Sequence, residues 1–369
     1  MPITAERTKK SSAARTVLPA AIPAFFTALF LIFSKSPRFN GFVARSVSAP
    51  VRAFLGGISS GTPFSFMELL YAAGIVWLFY YTAKSVYLTV RSEARLKTAL
   101  RRAFTLFTVI LWIVFCFLYL WGVCYRDASF AEKNGFSKNG CTVSELAAVT
   151  AYFAENASAL SDTVPRDESG RFCVPVSDIL SGYNTVYGGI SEKFSSLSGP
   201  VSRPKGMLFP EVLSVLGFTG VYFAFTGETI INTDMPRALM PFTLAHEIAH
   251  QRGVASEQEC NFLGVAACTA SGDDIFRYSG YLAGLLYTGN ALYGADYDAW
   301  RDISRTYSVG VLRDFADSNA YWASFESPAE KAAERVYDGY LKAQGETLGI
   351  QSYDACVDMI VEYFLPKAQ

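Results

Sequence analysis

Residues 244–253 read LAHEIAHQRG and include both histidines of the chain. His246 and His250 are four residues apart, so on a helix they share one face, with β-carbons about 6 Å apart. Two imidazoles placed in this way can bind one zinc ion at about 2.0–2.1 Å. Glu247 lies one residue further round the helix, where it can take a proton from zinc-bound water. The stretch therefore predicts a zinc-hydrolase helix with Glu247 as the catalytic base.

The third ligand of the predicted zinc ion has to be a carboxylate, because the chain contains no further histidine. A catalytic zinc ion has three protein ligands and one open position. We expect the helix to break at Gly253 and the next helix to begin after Ser256, with Glu259 completing a capping box. Without the break, Glu257 would lie about 10 Å along the axis from His250. With it, Glu257 and Glu259 are both candidates for the third ligand.

Three apolar segments precede this region and predict transmembrane helices. They cover about residues 17–33, 66–83 and 104–124. The third contains no charged residue and has the ~20 apolar residues that a membrane helix needs. The first is shorter and contains two prolines. We interpret it as an uncleaved span; a signal peptide or a buried core helix is the alternative.

The distribution of basic residues predicts an orientation in the membrane. Lysine and arginine are concentrated before the first segment and between the second and third, and such regions are typically cytoplasmic. The loop at 39–58 is either an amphipathic helix on the outer membrane face or a plain connector. We therefore expect a multi-pass protein of the cell membrane with a cytoplasmic N-terminus. Its membrane domain would cover 1–125, and an extracytoplasmic domain would cover 126–369.

Composition excludes several classes of protein. Of 369 residues, 51% are hydrophobic and only 18% are charged, so the chain is not disordered. The 32 basic residues nearly balance the 33 acidic ones, which argues against a nucleic-acid partner. The seven cysteines form no CxxC pair that would indicate a thiolate metal site. Cys141 and Cys173 are the candidate disulfide pair.

The pattern after residue 126 predicts a mainly α-helical domain with a small β-sheet. Strand character is confined to 221–225 and 228–232, on either side of a Thr-Gly turn. Helical periodicity recurs in five segments, at 143–156, 276–292, 297–317, 329–343 and 352–364.

The histidine motif and the sequence after it resemble the gluzincin class of zinc metallopeptidases. HEIAH is followed closely by EQECN, and several membrane-bound gluzincin families carry Glu-x-x-Ala-Asp on the helix after HExxH. The resemblance implies that Glu257 is the third zinc ligand, with Cys260 at the alanine position. It also implies that Asn261 replaces the aspartate that orients a ligand histidine. Glu259 remains the alternative ligand.

The resemblance extends to one bacterial family of membrane proteins, the domain of unknown function 3810 family. The stretches PFS, FTGETIINTD, NFLGVAAC and VYDGYLKAQG are similar to it. It implies an α+β, mainly α, fold in which three N-terminal transmembrane helices precede a zincin-like metallopeptidase domain with a small β-sheet. In zinc peptidases an edge strand binds the substrate backbone, and we interpret 228–232 as that strand. Tyr222, Tyr307 and Tyr321 are candidates for stabilising the oxyanion.

Together these features favour a membrane-anchored zinc metallopeptidase. His246, His250 and Glu257 would bind Zn²⁺, and Glu247 would activate the water and pass its proton to the leaving amine. The expected partners are a peptide or protein substrate and the lipid bilayer. The alternative is a non-catalytic membrane sensor or scaffold that retains a zinc site. Glu247 argues against this alternative, since a purely structural site does not need it.

Overall fold

A computed structural model gives the fold of the chain and describes residues 3–137, 140–197, 199–346 and 353–368. The chain forms two compact units. The first comprises Met1–Val51 and Phe66–Asp127, and the second comprises Arg52–Ser65 and Ala128–Gln369. The segment Arg52–Ser65 thus belongs with the C-terminal part of the chain, whereas the sequence interpretation grouped all of 1–125 together.

The first part of the chain is helical throughout. Its helices are α1 (Ile3–Phe33), α2 (Pro37–Val43), α3 (Ala49–Ser60), α4 (Phe66–Arg91) and α5 (Arg95–Phe117), with π-helical turns at Ala44–Ser48 and Leu118–Gly122.

Among the described residues, two helices are long and apolar enough to cross a membrane, not the three expected. They are α4 and the continuous stretch Arg95–Gly122. Only 6% and 0% of their apolar windows are buried, whereas the core helix of a soluble protein is mostly buried. The apolar part of α1, Val17–Phe33, is helical as expected. It covers only about 25 Å, however, whereas a bilayer core is about 30 Å thick.

The two prolines of α1 explain a contact between α1 and α5. Pro23 has no N–H, so the carbonyl of Pro19 loses its usual partner within the helix. The indole Nε1–H of Trp112 donates to this carbonyl at 3.0 Å. Tyr119 likewise donates to the carbonyl of Phe26 at 3.1 Å. Side chains from α5 and the π-turn after it therefore satisfy backbone groups of α1.

The second unit is mainly α-helical with a small sheet, as expected. Its sheet contains β1 (Lys205–Gly206), β2 (Gly220–Phe223) and β3 (Glu228–Ile231). After α3, its helices are α6 (Phe130–Asn134), α7 (Val143–Leu160), α8 (Val176–Ser181), α9 (Glu211–Val215), α10 (Met240–Gln251), α11 (Glu257–Thr269), α12 (Asp274–Ala295), α13 (Tyr297–Ser304), α14 (Val309–Ala323), α15 (Pro328–Gln344) and α16 (Tyr353–Ala368).

The strand order corrects one expectation about the sheet. Among the described strands the order is β1-β3-β2, with β3 parallel to β1 and antiparallel to β2. The strand β3 is therefore central and all four of its residues are buried, so it is not the edge strand predicted at 228–232. The prediction failed because β1 is only two residues long and shows no alternating pattern. The edge strand next to the turn is β2.

The core of the second unit holds the HEIAH helix in place. The helix α12 packs against α7, α10, α11 and α16. On α10, Met240, Leu244 and Ile248 are fully buried and recur every four residues, which places them on one inward face. The functional residues of α10 therefore project from a helix whose opposite side is fixed in the core.

The predicted helices are present with two differences. The segment 297–317 forms α13 and α14 rather than one helix, because the side chains of Asp296 and Ser308 each cap a separate N-terminus. The last predicted helix corresponds to α16, although its first residue, Ser352, lies outside the described residues. All seven cysteines lie within the described chain and none of them forms a disulfide, so Cys141 and Cys173 are not bridged.

Candidate metal centre

The helix α10 ends as the sequence predicted, at a turn centred on Gly253. The φ angle of Gly253 is +94°, which favours glycine because any other residue would be strained there. The N–H of Gly253 donates to the carbonyl of His250 at 2.9 Å, and that of Val254 to Ala249 at 3.1 Å. These two bonds form a Schellman motif. The motif reverses the chain and brings the start of α11 back beside α10.

The reversal brings together His246, His250 and Glu257. One ligand atom from each lies within 4.8 Å of the others. The two histidine Nε2 atoms are 3.1 Å apart. The carboxylate oxygens of Glu257 lie 3.2 Å from Nε2 of His246 and 3.4 Å from Nε2 of His250. A tetrahedral zinc ion with bonds of about 2.0–2.1 Å separates its ligand atoms by about 3.4 Å, so the spacing fits one zinc ion.

The ring of His250 is oriented for metal binding. Its Nδ1 lies 2.9 Å from the carbonyl oxygen of Val254. A carbonyl can only accept a hydrogen bond, so Nδ1 carries a proton and Nε2 is the nitrogen that faces the other two candidate ligands. The thiol of Cys260 lies 3.3 Å from the same Nδ1. The resemblance to gluzincins assigned this orienting role to Asn261, whereas here the Val254 carbonyl occupies that position.

Two nearby glutamates on α11 have different partners. Glu257 faces the histidines, and its Oε1 accepts a hydrogen bond from the hydroxyl of Tyr337 on α15. Glu259 instead accepts the backbone N–H of Ala131 at 2.7 Å, at the start of α6. Ser256 is the N-cap residue as predicted, but within the described residues its side chain makes no capping bond. The expected capping box is therefore absent, because Glu259 stabilises α6 instead.

Glu247 is buried beside the three candidate ligands, with only 4% of its surface exposed. Its Oε2 has no hydrogen-bond partner among the described residues. A buried oxygen without a partner is costly, and such atoms typically bind water or a ligand. Burial raises the pKa of Glu247, while the charges of His246 and His250 lower it in part. The unpaired oxygen is thus available for a water molecule at the site.

The edge strand β2 runs directly against Glu247. A β-carbon added to Gly220 would lie 2.9 Å from both Cγ and Oε1 of Glu247. Real β-carbons essentially never approach other atoms so closely. Glycine at this position therefore allows the sheet to approach the carboxylate.

Arg52 is a supporting residue that the sequence interpretation missed. It lies on α3 and only 4% of its surface is exposed. Its Nη1 donates to the carbonyls of Gln251 at 3.2 Å and His250 at 3.4 Å. A cation at the C-terminus of a helix is favourable because the last carbonyls lack partners within the helix. No local pattern indicates this contact, since Arg52 lies almost 200 residues before the motif.

The three tyrosines considered as oxyanion donors lie on different elements, and Tyr222 is on β2, the strand that runs against Glu247. Tyr222 lies against Arg52, and Tyr321 donates to Asp234 at 2.7 Å. Tyr307 packs against the core, where burial raises its pKa to about 12. Tyr337 places its hydroxyl on Glu257, within the cluster of candidate ligands. It belongs to the VYDGYLKAQG stretch, which the sequence analysis singled out without assigning it a role.

Comparison with known protein families finds a match over most of the chain. Residues 44–361 match the family described as "Protein of unknown function (DUF3810)". The chain belongs to the DUF3810 family. The match includes the three candidate ligands, Glu247, Arg52 and Tyr337. No curated protein and no solved structure matches the chain, so the zincin-like character of the DUF3810 domain stays a prediction.

Proposed function

We propose that this DUF3810 protein is a membrane-anchored, zinc-dependent metallopeptidase. The observation that carries the proposal is the convergence of His246, His250 and Glu257 beside the unpaired buried oxygen of Glu247. The pattern H-E-x-x-H on a helix is typical of metallopeptidases. Here it occurs together with a carboxylate at the spacing that a tetrahedral ion requires.

The number of ligands favours a catalytic role over a structural one. Structural zinc sites usually have four protein ligands, whereas catalytic sites have three and keep one position open. The described cluster comprises three potential ligands. The nearby thiol of Cys260 lies against Nδ1 of His250, which is not the nitrogen that faces the cluster. This arrangement leaves room for a water molecule or a substrate oxygen.

Each residue of the candidate site would have its own role in peptide hydrolysis. His246, His250 and Glu257 would hold the zinc ion, which when bound polarises the peptide carbonyl and makes water more acidic. Glu247 would take the proton of the attacking water on its unpaired oxygen. It would then donate that proton to the leaving amine. Val254 would keep the His250 ring in the tautomer that the site needs.

The edge strand β2 would bind the substrate backbone. It is paired on one side by β3, and within the described sheet its other side is the edge. An extended peptide can add to such an edge by main-chain hydrogen bonds. Since Gly220 on β2 lies against Glu247, a peptide bound there would pass the catalytic carboxylate. This reassigns the substrate-binding role from 228–232 to β2.

The membrane anchor would place this activity at the cell membrane. The two candidate spans, α4 and Arg95–Gly122, support membrane insertion by their length and composition. We further propose, from the distribution of basic residues, that the N-terminus is cytoplasmic and the second unit is extracytoplasmic. An accessibility assay with a membrane-impermeant reagent on intact cells tests the orientation. Modification of the second unit only in lysed cells would contradict it.

Metal content is the first test of the proposed function. We expect about one zinc per chain in the detergent-purified protein, by the ligand argument above. His246→Ala and Glu257→Ala should lose it, whereas Glu259→Gln, two residues from Glu257, should retain it. No zinc in the parent protein after reconstitution would refute the proposal. Loss of zinc in Glu259→Gln with retention in Glu257→Ala would move the third ligand to Glu259.

Hydrolysis is the second test and separates an enzyme from a sensor. A peptide library incubated with the zinc-loaded protein should yield cleavage products. Glu247→Gln should retain zinc and lose cleavage, because glutamine cannot accept the proton. A parent protein that binds zinc but cleaves nothing would favour the non-catalytic sensor or scaffold. Unchanged cleavage by Glu247→Gln would exclude Glu247 as the base.

A further inference from the structure

The helix α3 has its polar and apolar faces reversed relative to a helix at a water-exposed surface. Its buried residues include Arg52, Gly56 and Ser59, whereas Phe54 and Ile58 are 68% and 53% exposed. A surface helix of a soluble domain normally buries its apolar stripe and exposes its charges. The exposed positions of α3 are all apolar or glycine: Ala49, Pro50, Val51, Ala53, Phe54, Gly57 and Ile58.

The reversal is imposed by close packing on the inner face. A β-carbon on Gly56 would lie 2.1 Å from Oγ of Ser202 and 2.8 Å from the carbonyl oxygen of Gly227. Arg52 on the same face donates to the end of α10. The orientation of α3 is therefore fixed by contacts within the second unit. Phe54 and Ile58, four residues apart, have to point outward together.

A second exposed apolar segment lies next to α3. The N–H of Arg203 donates to Oγ of Ser60 at 3.0 Å, and Nζ of Lys205 donates to the carbonyl of Phe64 at 2.8 Å. These two hydrogen bonds hold the segment beside α3. Shortly after Lys205 in the chain, Leu208 is 74% exposed and Phe209 is 62% exposed.

We call five large exposed apolar residues, from α3, from the turn after it and from the second segment, the apolar rim. Large exposed apolar patches on soluble proteins mark sites of interaction with proteins or membranes. The rim is defined by Phe54, Ile58, Phe64, Leu208 and Phe209.

We propose that the apolar rim is a membrane-interface anchor that inserts between lipid headgroups and acyl chains. Continuity of the chain favours lipid as the occupant. Ser65, the last residue of this segment of the second unit, is followed at once by Phe66, the first residue of the candidate span α4. Phe64 is thus two residues from a helix that is long and apolar enough to enter the bilayer. An amphipathic helix at the interface buries its apolar face by about 5–10 Å.

The proposal differs from the proposed peptidase function and does not depend on it. Lipid contact at the rim requires neither zinc nor Glu247. Arg52, on the opposite face of α3 from Phe54, contacts the backbone at the end of α10. If the peptidase function also holds, its site would then lie close to the membrane surface and would favour membrane-proximal peptide segments.

Lipid photolabelling of the full-length protein tests the proposal. The protein is reconstituted in phosphatidylcholine nanodiscs that contain a phosphatidylcholine with a diazirine in its acyl chain. After illumination, lipid adducts are mapped by mass spectrometry. We expect adducts on peptides covering 51–64 and 207–216 as well as on α4. The matched control is Val336, which is as exposed as Leu208 at 74% but lies outside the rim, and its peptide should be unlabelled.

A charged variant provides an independent measurement. Phe54→Glu combined with Leu208→Glu should abolish labelling of both rim peptides while α4 remains labelled. Both residues are exposed, so the fold should tolerate the change, and unchanged circular dichroism would confirm this. Labelling of α4 without labelling of the rim would overturn the proposal, as would equal labelling of the Val336 peptide. Crosslinks between rims of two chains in place of lipid adducts would identify a second copy as the occupant.

Discussion

The contact between Arg52 and the end of α10 gives a quantitative prediction for Arg52→Met. Methionine fills similar space but donates no hydrogen bond, so the carbonyls of His250 and Gln251 lose a charged donor. Each hydrogen bond to a charged group contributes about 1.5–3 kcal/mol. The two bonds are long, at 3.2 and 3.4 Å, so we take the lower end for each and expect a total loss of about 3 kcal/mol. At about 2–4 °C per kcal/mol, the Tm of the second unit should fall by about 6–12 °C.

Thermal unfolding of the full-length protein in detergent measures this loss. A chelator is present throughout, so that zinc binding makes no contribution. The matched control is Arg335→Met, because Arg335 also donates to a backbone carbonyl, that of Lys331 at 2.9 Å, but at an exposed site. Water replaces that bond, so the control should lose less than about 0.5 kcal/mol. Equal Tm shifts for the two variants would refute the role assigned to Arg52.

Three further predictions concern the site and the thiols. Gly220→Ala should displace the Glu247 carboxylate, retain zinc and lower peptide cleavage about 100-fold. The control is Gly188→Ala, where an added β-carbon meets nothing within 4 Å; it should leave zinc binding and peptide cleavage unchanged. Tyr337→Phe removes the hydrogen bond to Glu257 and should weaken zinc binding about 10-fold in a competition assay with a chelating dye, without lowering the Tm of the zinc-free protein. Thiol titration of the denatured, unreduced chain should give seven thiols, and a count of five would indicate one disulfide.

Local patterns along the chain predicted much of the site. The four-residue spacing of His246 and His250 predicts one helical face, and Gly253 predicts the turn that ends the helix. Each of these features depends only on residues near it in sequence. Arg52 could not be predicted in this way, because its role depends on packing between distant segments. The strand order also depends on β1, which is too short to show a pattern.

Local sequence patterns do not show which of the two glutamates of α11, Glu257 or Glu259, faces the histidines. Each helical residue turns the chain by about 100°, so Glu257 and Glu259 point in directions about 200° apart. Only one can therefore face the histidines, and the other has to find a partner elsewhere. Which one does so is set by the rotation of α11 about its axis. In the structure Glu259 bonds to Ala131, 128 residues earlier in the chain, and the rest of α11 after it is buried in the core. These long-range contacts set the rotation that turns Glu257 toward the histidines, and no pattern within α11 reveals them.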